Sequence, residues 1–378
     1  MERKIAALFL GLVFTFGFVS CETEADNSLA LAALALSSGS SGAVNPSTEN
    51  TCTITFDANG GSITTATQTV TAGEKTALKS ATELGLSRTN YAFVGWATKS
   101  GATTAEYADG AEVTLSDNLT LYAIWNELPV NEQPLTLEFI DSGTITITDR
   151  WSSLKYSING GDLTDATDSI TVAAGDKVCF YAQKSENDTY YQIINCDADC
   201  YIYGNIMSLV TLTENGDWNP LETTLFGESS FSQLFYKNCH IKNHASKKLI
   251  LPATKLTRCC YCEMFSGCTS LTTAPELPAE TLAAECYFGM FYGCTSLTTA
   301  PELKATTLAE HCYDSMFSEC TSLHYVKCLA TNICSAYCTS YWLSAVSTSG
   351  TFVKAKDMAS WGSGVSGIPS GWTVEDAE

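Results

Sequence analysis

Between residues 258 and 343 one motif returns at a fixed interval of 26 residues. Met264-Phe265, Met290-Phe291 and Met316-Phe317 keep that spacing, as do Cys268, Cys294 and Cys320, and Leu271, Leu297 and Leu323. Leu277, Leu303 and Leu329 share it, and Cys260, Cys286, Cys312 and Cys338 mark four turns of chain. A period of this length signals a solenoid, in which each unit cannot bury its apolar face alone and does so against its neighbours. Like residues then stand above like residues, and the recurring Leu, Phe and Cys positions are expected to form core ladders. Within a unit, Leu271-Thr272-Thr273 reads as a short strand ended by Pro275, which has no ladder N–H. The run Glu285–Phe291 brings Cys286, Met290 and Phe291 to one face at helical spacing, predicting a short helical turn. An earlier, longer unit runs through Leu234-Phe235, Cys239 and Leu249-Ile250-Leu251-Pro252; with Lys237, Lys242, Lys247 and Lys248 it reads as an N-terminal cap.

The units Met264-Phe-Ser-Gly-Cys-Thr-Ser-Leu271 and Met290-Phe-Tyr-Gly-Cys-Thr-Ser-Leu297, each leading into Ala-Pro-Glu-Leu, resemble the BspA-like leucine-rich repeats of bacterial surface proteins. The resemblance spans roughly residues 226–346. It departs from the family in having about four units, a longer period, and cysteine where aliphatic residues are commoner. It implies a right-handed solenoid and a role in adhesion. In a coil of that kind Thr272, Thr273, Thr298, Thr299, His324 and Tyr325 would line the exposed strand side. Small hydroxyls there make a flat hydrogen-bonding face suited to a glycan or an extended polypeptide; ordinary strand propensity also accounts for them.

Two modules precede the repeats. In the first, residues 52–125, Thr53-Ile54-Thr55-Phe56 alternates as a strand and Asp57-Ala58-Asn59-Gly60-Gly61 is a turn. Phe56-Asp-Ala-Asn-Gly-Gly61, Phe93-Val-Gly-Trp96 and Leu121-Tyr-Ala-Ile-Trp125 together resemble the Listeria–Bacteroides repeat, or internalin B-repeat. The resemblance implies a small β-grasp-like domain of bacterial surface proteins. Trp96 and Trp125 fit either a sugar-stacking platform or the core of so small a domain. Residues 126–134, with Pro129 and Pro134, read as a linker. From Leu135 to Gly204, short alternating segments separated by Asn159-Gly160-Gly161 and Ala174-Gly175-Asp176 predict an antiparallel β-sandwich. The repeat solenoid with its N-terminal cap is expected over 205–346, and a C-terminal cap containing Trp361 and Trp372 over 347–378. The fold class is therefore mainly β and multidomain.

At the start, Arg3-Lys4 followed by an apolar stretch from Ile5 to Val19 reads as a secretory signal over residues 1–20. Phe18-Val19-Ser20-Cys21 resembles a bacterial lipobox, which implies cleavage before Cys21 and diacylation of its sulfur; ordinary cleavage leaving a spare thiol is the other reading. Residues 21–51, rich in Ser, Ala and Asn, would be the tether, with Leu29 to Leu36 a local apolar turn within it. The expected location is a membrane-anchored lipoprotein at the cell surface or outer membrane.

Charge is distributed unevenly. Residues 21–225 hold 27 acidic and 8 basic side chains, a net of −19, whereas residues 226–346 hold 9 and 8, a net of −1. Such a chain lacks the basic surface that nucleic-acid binding needs. Of the 17 cysteines, 16 remain beyond Cys21. Most occupy the repeat register, which fits reduced core ladders of small soft side chains; a disulfide framework and a metal site are the alternatives. Cys196 and Cys200 are the candidates for an isolated disulfide.

No catalytic constellation emerges. His240 and His244 are four apart, but Ile241 stands where a zinc-protease motif has glutamate, and solvated side chains in the lysine-rich cap are expected. Gly-x-Ser-x-Gly and P-loop motifs are missing, and neither Asp162/Asp165/Asp168 nor Asp197/Asp199 makes a calcium loop. No cofactor, metal or enzymatic activity is expected. The reading is a surface-anchored interaction protein for a host protein or glycan, with a structural envelope spacer as the alternative and a polysaccharide-active enzyme as a remote one.

Overall fold

The structure is a computed structural model that describes residues 50–378, apart from 65, 185–190, 215 and 226. The signal 1–20, Cys21 and nearly all of the 21–51 tether lie outside the described residues. The chain is mainly β, arranged in several sheets with almost no helix.

The first sheet orders as β2-β1-β6-β4, from β1 (Thr51–Asp57), β2 (Thr67–Thr71), β4 (Tyr91–Ala97) and β6 (Leu119–Glu127). β1 runs parallel to β6 and antiparallel to β2. Alternation in β1 sends Cys52, Ile54 and Phe56 into a core with Trp96 and Leu121. Two short strands, β3 (Lys75–Ala77) and β5 (Glu112–Thr114), pair beside it. Trp96 is fully buried, and Trp125 packs on the same core with its Nε1 donating to Ala58 O at 2.9 Å. Both tryptophans therefore serve the core. Between β3 and β4 lies α1 (Ala81–Leu84), the one α-helix among the described residues, held by a Ser80–Glu83 capping box.

A three-stranded sheet, β11-β8-β13, and a seven-stranded sheet share the next core. The former comprises β8 (Gly143–Thr148), β11 (Ser169–Val172) and β13 (Ile193–Cys196). The latter runs β10-β9-β12-β7-β14-β15, from β7 (Thr136–Phe139), β9 (Lys155–Ile158), β10 (Thr164–Asp165), β12 (Lys177–Tyr181), β14 (Cys200–Asn205) and β15 (Ile241–Asn243); β16 (Leu249–Ile250) also pairs with β14. β14 is antiparallel to β7 but parallel to β15 and β16, so this sheet continues through the expected 204/205 boundary into the repeats. One apolar core runs without a break from Leu135 to Trp372. The buried 3-10 turn Ile206–Leu209 ties the joint, since Ser208 Oγ donates to Phe180 O at 2.8 Å and accepts from Leu135 N at 3.1 Å.

Residues 126–134, expected as a linker, are packed against this sheet. Val130–Glu132 forms a 3-10 turn, Gln133 is buried, and Asn205 N donates to Gln133 O at 2.8 Å. On the sheet's outer face Thr136, Cys179 and Tyr203 are fully buried. Lys247 reaches Glu127 at 3.2 Å.

The repeats stack as their period demands. Phe235, Phe265, Phe291 and Phe317 form one column with ring centroids 5.6–5.7 Å apart. Phe231, Tyr261, Tyr287, Tyr313 and Trp342 form a second. The tyrosine column has the same 26-residue spacing and was not singled out above. Cys268, Cys294 and Cys320 are buried, each thiol donating to a carbonyl of the preceding turn, at Phe235, Phe265 and Phe291, over 3.0–3.1 Å. All described cysteines are free thiols.

The predicted helical turn at Glu285–Phe291 does not form. The segment is a ribbon of successive turns in which every fourth residue is left-handed: Cys259, Glu263, Gly267; Glu285, Gly289, Gly293; His311, Ser315, Glu319; Tyr337, Tyr341, Ala345. Alternate N–H groups bond within the turn, as Met290 N to Tyr287 O, and the others reach the next unit, as Phe291 N to Met316 O at 2.9 Å. A helix needs all of them for itself, so stacking defeats it.

The strand side differs from expectation too. Thr273, Thr299 and Tyr325 are joined by single bridges, because Pro275 and Pro301 interrupt the ladder. In the last unit Lys327 follows Val326 where Pro301 follows Ala300, and a full strand, β17 (Tyr325–Cys328), forms. That unit is also one residue shorter here. Leu303 bridges Cys328 and Thr307 bridges Asn332, so Cys328, and not the half-buried Leu329, takes the fully buried place below Leu303. β18 (Gly350–Lys354) and β19 (Trp372–Asp376) extend β17 in parallel. Trp361 stacks on Trp342 at 5.3 Å and covers the end of the aromatic column.

Candidate interaction surface

Parallel pairing in the repeats aligns residues into columns about 4.8 Å apart. Thr273, Thr299 and Tyr325 make one such column, which β18 and β19 continue with Thr351 and Thr373. Thr272, Thr298 and His324 stand beside it, one residue earlier in each unit. The six expected residues thus share one face: five are exposed and Tyr325 is half-buried. Thr351 and Thr373 were missed: Thr351 keeps the 26-residue spacing from Tyr325 but falls in the segment read as a C-terminal cap, and Thr373 follows after only 22 residues.

The backbone beneath is fixed. His324 N donates to Thr298 O at 3.0 Å, Ala300 N to Tyr325 O at 3.0 Å, and Thr351 N to His324 O at 2.8 Å. At the upper end Asn243 stands in for the missing strand. Its Oδ1 accepts from Thr272 N, Thr272 Oγ1 and Thr273 N at 2.9–3.0 Å, and its Nδ2 donates to Thr273 O at 2.9 Å. One side chain therefore occupies the hydroxyl of Thr272, while Thr298 and Thr299 remain more open to a ligand.

Beside Asn243 the first unit carries its extra residues as a loop, 244–248, next to a groove of 680 Å³. Leu249, Pro252, Leu271 and Pro275 line it, with Thr273 at the edge. Lys248 bridges it to Glu276 at 3.1 Å. His244 is not solvated as expected: its ring meets Tyr201 and Tyr203 edge-on at 5.2 and 5.5 Å, and its Nδ1 accepts from Ser246 N and Lys247 N at 3.1 Å. His240 Nδ1 lies 3.0 Å from Asp199 Oδ1. Lys242 and then His240 hold the Asp199 carboxyl below the usual carboxylate range. Cys196 and Cys200 stand beside this ion pair with sulfurs 3.6 Å apart. The hydrogen bond from Cys200 lowers the Cys196 thiol, and the Cys200 thiol rises in return.

Among the described residues, no three His, Cys, Asp or Glu side chains converge on a common point, and no helix is long and apolar enough to cross a membrane. The features together define a mainly β, multi-sheet protein with a stacked repeat presenting a threonine-rich strand face. Residues 53–124 match the family model of the Listeria–Bacteroides repeat domain, which places that domain in the first sheet. No curated protein and no solved structure matches the chain.

Proposed function

We propose that this chain is a lipid-anchored bacterial surface protein. Its stacked units are of the BspA-like leucine-rich kind and present the strand face to a host protein or glycan. The carrying observation is the pair of adjacent columns, Thr272/Thr298/His324 and Thr273/Thr299/Tyr325, set on a backbone tied between units by bonds such as His324 N to Thr298 O and Ala300 N to Tyr325 O. A pre-organised face of that kind loses little entropy on binding. The Listeria–Bacteroides repeat at 53–124 supports a surface location. In this reading Cys21 carries the acyl chains, and the acidic residues 21–225 keep the anchored half soluble and self-repelling. No cofactor, catalytic residue or nucleic acid enters it.

The first test is protease shaving of intact cells expressing the protein, with a Cys21→Ala variant alongside. Loss on shaving, and release of the variant into the medium, is the expected result. The face is tested by joint substitution of Thr272, Thr298 and Thr299 with alanine, which should weaken binding to host cells at least tenfold while the chain stays folded, any drop in melting temperature being no more than Thr272→Ala alone gives through its lost bond to Asn243. Unchanged binding would remove the face from the proposal. Protection from protease would instead favour an envelope spacer, a reading that the packing of residues 126–134 against the seven-stranded sheet also suits.

A further inference from the structure

The turn ribbon carries two thiols that stacking does not account for. Cys259 and Cys262 stand at the first and fourth places of one turn, which Cys262 N closes by donating to Cys259 O at 3.2 Å. Cys259 is half-exposed, unlike the cysteines of the core ladders, and Cys262 is buried. The same two places face each other elsewhere in the stack: two units on, His311 Nδ1 lies 2.8 Å from Asp314 Oδ2 across the equivalent turn. Glu285/Phe288 and Tyr337/Ser340 hold those places in the remaining units, and Ser229/Ser232 in the first. Packing therefore asks for sulfur at neither place, whereas Cys260, Cys286, Cys312 and Cys338 recur and are buried.

Cys-x-x-Cys is a spacing at which one thiol can attack a disulfide and the second can resolve the product. The division of labour is visible here. Only Cys259 is open to a large reactant, and Cys262 waits behind it at the far end of the same turn. A hydrogen bond between the two thiols holds Cys259 below the ordinary thiol value and raises Cys262. Burial opposes the first shift, the Ser229 and Ser232 hydroxyls of the preceding unit support it, and the Glu285 charge works against it. Burial adds to the second. A lower value at the exposed thiol raises its thiolate fraction, which is the form that attacks. Cys196 and Cys200 are also paired, with sulfurs 3.6 Å apart, but at 6% and 0% exposure they are closed to a bulky disulfide.

We propose that Cys259 and Cys262 form a thiol–disulfide exchange site whose substrate is an accessible disulfide, either small or carried by a protein. The Cys259 thiolate attacks one substrate sulfur, forming a mixed disulfide and expelling the other sulfur as a thiolate that takes up a proton. Cys262 gives its proton to solvent, attacks the Cys259 sulfur, closes an intramolecular disulfide and releases the second substrate thiol. Two electrons thus pass from the dithiol to the substrate. The site is independent of the threonine face. The test is reaction of the fully reduced full chain with glutathione disulfide without oxygen, then acid quench and cleavage after Arg258 and Glu263. The released peptide, residues 259–263, should lose two hydrogens at least tenfold faster than exposed Cys239 gains glutathione. In Cys262→Ser that peptide should stop with one glutathione on Cys259, and in Cys259→Ser it should stay reduced. Serine already stands at both places in the first unit, so both variants should keep the parent's melting temperature. A second arm offers insulin: its reduction assigns the site to protein disulfides, and reaction with glutathione disulfide alone assigns it to small ones. Oxidation no faster than at Cys239, no adduct in Cys262→Ser, or a bridge that excess reduced glutathione cannot reopen would overturn the proposal.

Discussion

At the residue scale, the turn ribbon is built from a conformation that L-residues avoid. The left-handed region costs roughly 1–2 kcal/mol for a residue with a Cβ, and the stack places it at every fourth position whatever residue stands there. Ala345, at φ 57°, is exposed and has no side chain to lose. Replacing it with glycine removes that strain and adds about 0.4–1 kcal/mol of unfolded-state entropy, so Ala345→Gly should stabilise the protein by roughly 0.5–1 kcal/mol. A urea midpoint that falls would contradict the argument. Gly267→Ala should do the opposite, since φ is +77° and the new Cβ would press on Lys237 Cγ at 3.1 Å. The strand-face threonines were legible in the sequence because the period alone fixes their register. Asn243 was not: its partners lie 29 and 30 residues on, and the period is 26 only after the 244–248 loop.

At the scale of the element, the aromatic columns carry the repeats. Phe291 lies between Phe265 and Phe317, fully buried and nearly coplanar with both. Phe291→Ala would lose its burial and two stacks, a cost of about 3–5 kcal/mol by the measure of core phenylalanines. The same change at exposed Tyr292 should cost well under that, for it makes only a surface hydrogen bond to Glu319. Equal losses at the two sites, measured by chemical denaturation, would show that the column is not a unit of stability. The helical expectation for Glu285–Phe291 failed for a related reason. Spacing reports which side chains face inward, and a stacked ribbon of turns buries Cys286, Met290 and Phe291 just as a helix would. Where the N–H groups go is decided by the neighbouring unit.

For the molecule as a whole, burying so many thiols gives stability a pH limit. Burial pushes the Cys260, Cys312 and Cys328 thiols up to about 12 and Cys179 up to about 11. A thiol raised on folding contributes stability that is complete below its unfolded value and is lost as pH climbs toward the folded one. The unfolded value is about 8.5, and each thiol then costs roughly 1.4 kcal/mol per pH unit above it. Two units higher, these four would remove about 10 kcal/mol, comparable with a whole domain's stability. The reduced protein should therefore unfold between about pH 10 and 11. Its urea midpoint should fall steeply from pH 8.5, and less steeply in Cys312→Val; a midpoint flat to pH 10 would refute this.

The sequence by itself determined whatever depends on local order: the 26-residue period, the alternation that buries Ile54 and Phe56, and the strand-face columns. Periodicity and alternation are properties of neighbours along the chain, and burial follows from them. The tertiary structure alone decided how the parts meet. β14 turns from an antiparallel partner of β7 into the base on which the repeats stack. Residues 126–134 become a packed seam, and Gly160 comes against Thr89 to open a cleft between them and Trp218. Those contacts join segments tens of residues apart, and their energy lies in shape and hydrogen bonding across surfaces that no local pattern encodes.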